Sequence, residues 1–187
     1  EHIAWGESNA VSFANSVIGA RTEHYADMLD ICCALTGRVP ATGLHLSSNR
    51  AGRLLLRLVS VPQEVQQDDS FFTVLGYVMG RRAGNRIPVV EGMLNEPDED
   101  RLKALAATAA SSGGVPMFHI IGVTPEAPTL DAAFQGRTPK ETMDVTMDEL
   151  RRARNDLTTA DGKHLDMVVL GSPHLSIDEI KRLLPMV

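Results

Sequence analysis

The chain has 187 residues, 43% of them hydrophobic, which is enough for a core in one domain or in two small ones. Its 18 basic and 24 acidic residues give a formal net charge of -6, so it lacks the positive surface that binds nucleic acids or anionic membranes. Apolar runs such as 87–90 and 167–170 are too short to cross a bilayer, and no signal-peptide pattern opens the chain. We therefore expect a globular protein of the cytoplasm, unless a preceding signal has been lost, with no nucleic-acid or membrane partner.

The stretch from His2 to Gly37 is unusually rich in polar side chains set among apolar ones. Its polar residues between positions 7 and 22 include Glu7, Ser8, Asn9, Ser12, Asn15, Ser16, Arg21 and Thr22. In a folded protein such groups either pair with one another or face a ligand. We predict short helices over Asn9–Ile18 and Tyr25–Leu35, within a helical and loop lobe, residues 1–50, that carries part of a site.

From residue 51 onward, β-rich runs alternate with helical patterns. The predicted strands are Arg53–Val61, Ile87–Gly92, Val115–Val123 and Asp166–Leu170. The predicted helices are Ser70–Arg81, Asp98–Ser112, Leu130–Gln135, Thr146–Thr158 and Ile177–Met186. This alternation is typical of an α/β fold with a mainly parallel sheet and flanking helices, and we assign it to a second domain over residues 51–187.

Ligands of open parallel sheets bind beyond the carboxyl ends of the strands. The loops expected there are Gly122–Thr129 and Gly171–Ser176, and Thr124 and Glu126 lie in the first of them. His119 falls inside an apolar strand pattern, which favours a core histidine over a ligand.

The only cysteines are the neighbours Cys32 and Cys33, which are poorly placed to cross-link the fold. A reducing compartment is therefore expected. There, a cysteine is either a small buried apolar residue or a ligand of a metal or cluster.

Five collinear segments of the chain resemble the aconitase X family. They are AWGESNAVSFANSVIGART at 4–22, ICCALTGRVP at 31–40, GLHLSSNR at 43–50, FHIIGVTPEAPT at 118–129 and LGSPHLSIDEI at 170–180. The resemblance implies an aconitase-like three-layer α/β fold and a dehydratase that uses an iron or iron–sulfur centre. Substrates of the family are cis-3-hydroxy-L-proline in bacteria and a phosphorylated mevalonate in archaea. It also implies a longer enzyme, of which this chain is a C-terminal fragment, completed by an N-terminal part and a small swivelling domain or subunit.

The resemblance suggests three metal ligands. Cys32 aligns with a cysteine of the family, leaving Cys33 as a packing residue, and His174 follows in the last block. Ser172 stands where the family more usually has cysteine, and a hydroxyl binds soft metals far less well than a thiolate. Either the cluster differs or is absent, or Ser172 holds a hard metal with His174, or it has a new role. Otherwise Ser172 is a helix cap or a turn residue before Pro173, and His174 is a hydrogen-bonded turn residue.

Dehydration of a hydroxy acid needs an electrophile for the leaving hydroxyl, a base, and a grip on the carboxylate. The candidate catalytic residues are Glu7, Ser8, Ser16 and Glu126. The candidate substrate-binding residues are Asn9, Asn15, Arg21, Thr22 and Thr124. Arg21 suits a bidentate contact with a carboxylate, but an ion pair with Glu7 or Asp30 explains it equally well.

His45 and Arg50 either line the same cleft or are solvated. We expect Arg21, Cys32, Glu126 and His174 to share one pocket able to host a metal and an organic acid. No P-loop, GxGxxG motif or GxSxG elbow supports nucleotide binding or a hydrolase.

The first hypothesis is a hydro-lyase acting on cis-3-hydroxy-L-proline or a related small hydroxy acid, with the isolated fragment inactive. The alternative is a non-catalytic α/β module that binds a small carboxylate and packs against a partner subunit or domain.

Overall fold

In the computed structural model, which describes residues 1–26, 28–159, 162, 164 and 166–187, a parallel sheet forms the centre of the molecule. Its strands are β1 (Leu54–Val59), β2 (Pro88–Glu91), β3 (His119–Ile120) and β4 (Thr142–Thr146). The strand order is β3-β2-β1-β4, and every neighbouring pair is parallel. The predicted α/β fold with a parallel sheet is therefore confirmed.

Helices precede the sheet and connect its strands. They are α1 (Ser8–Phe13), α2 (Leu29–Thr36), α3 (Gln63–Gln66), α4 (Asp69–Ala83), α5 (Glu99–Gly113), α6 (Leu130–Phe134), α7 (Met147–Asp156) and α8 (Ile177–Leu183). A π-helical turn spans Ala14–Ile18, and 3-10 turns span Gly43–His45, Ser47–Asn49 and Leu184–Met186. In the described part of the chain, no helix combines the length and apolarity needed to span a membrane.

Apolar side chains of the strands point alternately to the two faces of the sheet, as strand geometry requires. Leu54, Leu56 and Val90 belong to the large cluster shared with α4, α5 and α7. Leu55 and Val89 point to the opposite face, where they pack with residues of α6. The sheet therefore lies between two helical layers, as the three-layer prediction requires.

The fourth predicted strand was placed wrongly. Asp166–Leu170 forms no strand, and its apolar side chains Met167, Val168, Val169 and Leu170 are 59–82% exposed. The fourth strand is instead Thr142–Thr146, which pairs with β1 along its whole length. Only Val145 is buried within this edge strand. Its sequence therefore lacks the apolar pattern of a buried strand, and the strand was not predicted.

The third predicted strand, Val115–Val123, is reduced to His119–Ile120. Pro116 has no N–H to donate to a ladder, and the N–H of Phe118 donates to Ser16 Oγ at 2.8 Å rather than to a strand. After Ile120 the chain turns, with the N–H of Thr124 bonded to the Ile120 carbonyl at 3.0 Å. Val115 and Phe118 are both 0% exposed. The segment is therefore apolar because it is buried, and this apolar pattern favoured a longer strand.

Helices α4 and α5 approach so closely that only glycine fits where they cross. A Cβ placed on Gly113 would lie 2.0 Å from the carbonyl oxygen of Gly80. One placed on Gly80 would lie 2.8 Å from the carbonyl oxygen of Ala109. This contact anchors the helical layer on the larger face of the sheet.

In the lobe, helix α2 begins later than the predicted Tyr25–Leu35, and position 27 of that range lies outside the described residues. Met28, which precedes α2, has a left-handed conformation with φ of 68°. The hydroxyl of Tyr25 is bonded to His45 Nε2 at 2.5 Å. Tyr25 thus makes a tertiary contact with His45 and is not part of the helix.

Candidate functional site

A cleft of about 410 Å³ brings together the start of the chain and the segment before α8. The first side contributes Trp5, Glu7 and Asn9, and the second contributes Ser172 and His174. More than 160 positions separate these two groups in sequence, so only the fold makes them neighbours. Of the predicted site residues, Glu7, Asn9, Ser172 and His174 thus share one cleft.

Glu7 is fixed in this cleft by its position at the N-cap of α1. Its Oε1 accepts from the N–H of Asn9 at 3.1 Å, and its Oε2 accepts from the N–H of Ala10 at 2.8 Å. Each carboxylate oxygen has a second lone pair, so Glu7 can accept a further hydrogen bond without leaving the cap. The arrangement presents an oriented carboxylate to the cleft.

The opposite side of the cleft is the loop Gly171–His174, in which Ser172 and His174 are exposed. Gly171 has φ of 113°, a conformation that favours glycine. Helix α8 begins directly after the loop, with Ser176 as N-cap and a capping box formed with Glu179. The loop is therefore held at its carboxyl end by a well-capped helix.

Lys103 of α5 also lines the cleft and was missed by the sequence analysis. Its Nζ lies 2.9 Å from Asp100 Oδ1 and 2.6 Å from Glu179 Oε2, and its side chain is 22% exposed. Burial alone would lower the pKa of Lys103, but the hydrogen bonds to Glu179 and Asp100 outweigh it and raise the pKa. The i,i+3 spacing of Asp100 and Lys103 was readable from the sequence, but the contact with α8 was not.

Arg50 joins the lobe to the sheet and is 0% exposed. Its Nε donates to both carboxylate oxygens of Glu126, at 2.9 and 3.0 Å. Its Nη1 donates to Asn15 Oδ1 at 3.1 Å and to the Leu44 carbonyl at 3.0 Å. Its Nη2 donates to the carbonyls of Asn15, at 2.9 Å, and Ala20, at 3.1 Å. The solvated alternative for Arg50 is therefore wrong, and Glu126 serves as its counter-ion.

Other predicted site residues lie in the same contact between lobe and sheet. Asn15 donates to the carbonyls of Thr22 and Pro116, both at 3.1 Å. Thr22 donates its hydroxyl to the Trp5 carbonyl at 2.6 Å, and Thr124 Oγ1 accepts from the Ile120 N–H at 2.9 Å. With Ser16, all of these side chains are buried and bonded to backbone, so the structure gives each a structural contact. Their roles in catalysis or substrate binding stay predictions.

Arg21 donates from Nη1 to the His45 carbonyl and from Nη2 to Ser47 Oγ, each at 2.8 Å. Both acceptors are neutral, so these contacts differ from the ion pair with Glu7 or Asp30 that the sequence also allowed. On α2, Cys33 is buried, as expected of a packing residue, while Cys32 is exposed.

His45 is 3% exposed, so the solvated alternative is wrong for this residue too. Its Nε2 lies 2.5 Å from the Tyr25 hydroxyl, and its Nδ1 lies 2.9 Å from His2 Nδ1. Burial, and then the neighbouring His2, lower the pKa of His45, and burial raises the pKa of Tyr25. His119 is 1% exposed and bonded through Nε2 to the Arg50 carbonyl at 2.8 Å, consistent with the predicted core histidine.

Among the residues that the structure describes, no three His, Cys, Asp or Glu side chains converge as a metal site requires. Of the four residues expected to share a pocket, His174 lines the cleft, whereas Arg21, Cys32 and Glu126 are not among its lining residues. This cleft is therefore not the common pocket that was expected for these four residues. Because the described residues do not assemble an iron ligand set, we derive no chemical step through iron.

The three-layer fold, with a cleft between the lobe and the loop before α8, defines the class of protein. Two family models match most of the chain: the aconitase X first domain over residues 1–48 and the aconitase X second domain over residues 53–155. The chain belongs to the aconitase X family.

Named relatives come from two groups of dehydratases. The chain is 48% identical over 184 residues to cis-3-hydroxy-L-proline dehydratase of Pseudomonas aeruginosa, which covers 98% of this chain and 31% of the relative. It is 50% identical over 185 residues to the enzyme of the same name from Hypocrea jecorina, with the same coverage of both. It is 40% identical over 185 residues to the phosphomevalonate dehydratase large subunit of Methanothermobacter thermautotrophicus, covering 97% of this chain and 43% of that subunit.

The crystal structure of Thermococcus kodakaraensis aconitase X in its holo-form has the same fold. It superposes with a TM-score of 0.84 at 33% identity, over 100% of this chain and 45% of that one. The chain thus spans about a third to under a half of the length of these relatives.

Proposed function

We propose that the whole protein is a hydro-lyase that removes water from a small hydroxy acid of the cis-3-hydroxy-L-proline type. The single observation that carries this is the shared cleft of Glu7 and Asn9 with Ser172 and His174. Its volume of about 410 Å³ is in the range of sites for small molecules. The two relatives named for cis-3-hydroxy-L-proline are 48–50% identical to this chain, against 40% for the phosphomevalonate relative of Methanothermobacter thermautotrophicus.

Glu7 is our first candidate for the acid–base group. It is oriented by two backbone N–H groups at 2.8 and 3.1 Å, faces the cleft, and keeps free lone pairs. Asn9, in the first turn of α1 on the same wall, is the candidate for hydrogen bonding to the substrate. Ser8 is exposed beside them and Ser16 is buried against Phe118, so Ser8 is the better placed serine.

An iron or iron–sulfur centre would supply the electrophile for the departing hydroxyl. Cys32, Ser172 and His174 are the ligand candidates of this chain. Ser172 and His174 line the cleft, whereas Cys32 does not and is a candidate through the family resemblance alone, so we propose that residues of the whole protein beyond this chain complete the set.

A further part of the protein is proposed to cover the exposed apolar run at 167–170. Four consecutive side chains there, Met167, Val168, Val169 and Leu170, are 78, 69, 82 and 59% exposed. Such a β-rich apolar run suits strand pairing with another segment. The remaining polypeptide, including a small domain or subunit, is the proposed partner. We also propose a cytoplasmic location, since Cys32 and Cys33 are both free thiols.

The test is water loss from cis-3-hydroxy-L-proline by the full-length protein, purified without oxygen and supplied with iron. Glu7→Gln and His174→Gln are each expected to lower kcat/KM by about 100-fold or more, as loss of a positioned acid–base group or ligand does. His24→Gln is the control, because His24 is exposed and is not among the residues that line the cleft. If the wild-type protein binds the hydroxy acid without turnover, the non-catalytic carboxylate-binding module is correct instead. Full activity in both cleft variants would reject the roles assigned to them.

A further inference from the structure

The ammonium of Lys103 bridges two carboxylates that belong to different helices. Asp100, one turn earlier on α5, lies 2.9 Å from Nζ, and Glu179, on the first turn of α8, lies 2.6 Å from it. All three side chains are only 22–27% exposed. Charge-assisted hydrogen bonds that are partly shielded from water are stronger than surface pairs, so this bridge is a defined connection between α5 and α8.

Ser176, the N-cap of α8, belongs to the same network. Its hydroxyl donates to Asp100 Oδ2 at 2.7 Å, and its N–H donates to Glu179 Oε2 at 2.7 Å. Glu179 therefore accepts from both the Lys103 ammonium and the N-cap of its own helix. Ser176 lies two residues after His174, so the network fixes the chain directly beyond the loop that lines the cleft.

The charges argue against Lys103 as the group that grips a substrate carboxylate. Two carboxylates already surround its single positive charge, so the local net charge is negative and a further anion is disfavoured. The other described ion pair from α8 to the body of the protein joins Arg182 to Asp69 at 3.2 Å. Its side chains are 57–60% exposed, so it is expected to contribute little to stability. Together with the hydrogen bond from Ser176 to Asp100, the bridge through Lys103 thus forms the polar link that holds α8 against α5.

We propose that Lys103 is a positioning residue: by bridging Asp100 and Glu179 it holds the Gly171–His174 loop against the wall that carries Glu7. Removal of the ammonium leaves the Asp100 and Glu179 carboxylates facing each other with no cation between them, and their repulsion loosens the contact of α8 with α5. Ser172 and His174 then lose their fixed position in the cleft. The kinetic consequence rests on the proposed dehydratase function, whereas the structural consequence does not.

The structural test is amide hydrogen exchange of the full-length protein. Lys103→Met keeps the aliphatic stem and removes the charge, and we expect exchange over 171–180 to become at least 10-fold faster. Glu179→Gln removes one charge of the bridge but keeps an oxygen that can accept from the Ser176 N–H in the capping box, and it is expected to produce the same change. Lys181→Met is the matched control, because among the residues that the structure describes Lys181 pairs only with Asp178 on its own helix, and its side chain is 67% exposed. Unchanged exchange over 171–180 in both Lys103→Met and Glu179→Gln would overturn the proposal.

The kinetic test uses the same variants. We expect Lys103→Met to lower kcat/KM by about 10- to 100-fold, because displaced site residues cost this much. Lys103→Arg is expected to retain most of the wild-type kcat/KM. The double variant Lys103→Met with Glu179→Gln is expected to have a kcat/KM no lower than that of Lys103→Met alone. Additive losses would mean that the two residues act independently and would refute the bridge. If the wild-type protein shows no dehydration, the proposed function fails, yet the exchange result still decides the role of Lys103.

Discussion

Arg50 and Glu126 form a salt bridge in which one partner is fully buried and the other reaches solvent. Their side chains are 0% and 31% exposed, and Arg50 Nη2 lies 2.5 Å from Glu126 Oε1. Arg50 precedes the sheet, and Glu126 lies in the turn after β3, so the pair joins the two parts of the molecule. A buried guanidinium is tolerated only when its charge and N–H groups are satisfied, which makes this contact central to stability.

We predict that Arg50→Met lowers the free energy of unfolding by about 3–5 kcal/mol, because it leaves buried acceptors without a donor. Glu126→Gln should cost less, since the amide oxygen still accepts from Arg50. Urea denaturation measures both. Arg57→Met is the control, because the Arg57–Asp144 pair is 50% and 46% exposed and should contribute under about 1 kcal/mol. Equal effects of Arg50→Met and Arg57→Met would contradict this prediction.

Stability should fall as the pH drops below 6.5. Burial lowers the pKa of both His45 and His119 from 6.5, so the unfolded chain takes up protons at a higher pH than the folded one. The stabilisation that the two neutral histidines provide is complete above pH 6.5, and it is lost as the pH falls through the pKa values of His45 and His119 in the folded protein. Thermal unfolding between pH 7.5 and 5 measures it. His45→Gln should reduce the slope while the exposed His24→Gln leaves it unchanged, and a steeper slope in His45→Gln would reverse the assigned sign.

Gly113→Ala should destabilise the protein by about 1–3 kcal/mol through overpacking. The added Cβ would lie 2.0 Å from the Gly80 carbonyl oxygen, so α4 and α5 must move apart. Ser111→Ala, at an exposed position of the same helix, should change stability by less than about 0.5 kcal/mol. Unfolding midpoints in urea compare the two, and a neutral Gly113→Ala would show that the helices separate easily.

The corrected fourth strand gives a test of its own. Val145→Ala should cost about 2 kcal/mol, because Val145 is 1% exposed and two methyl groups leave the core. Val169→Ala in the isolated chain should be nearly neutral, since Val169 is 82% exposed. Denaturation of both variants measures the two losses of stability. A larger loss in Val169→Ala than in Val145→Ala would restore Asp166–Leu170 as the buried strand.

Local patterns predicted the elements that carry strong capping and apolar signals. Helix α5 begins after the Asp98 cap and ends at Gly113, close to the predicted Asp98–Ser112. Strand β1 likewise lies within the predicted Arg53–Val61. The exposed edge strand β4 was missed because its burial comes from one side chain, Val145.

The candidate site was predicted only in part for a related reason. Sequence reasoning and family resemblance selected Glu7, Asn9, Ser172 and His174, which the cleft brings together. They also selected Asn15, Thr22 and Glu126, whose polar groups the fold uses to hold Arg50 and the backbone. Whether a polar residue faces a ligand or a buried donor depends on its spatial neighbours, which the local sequence does not specify.

The sequence by itself determined the family, the parallel α/β architecture and most helices, because these depend on local periodicity, caps and ordered motifs. The tertiary structure alone decided which polar residues meet in the cleft, that Arg50 is buried, and that Lys103 connects α5 to α8. Those contacts join positions far apart in the chain, and their energies depend on burial and distance, which arise only when the chain is folded.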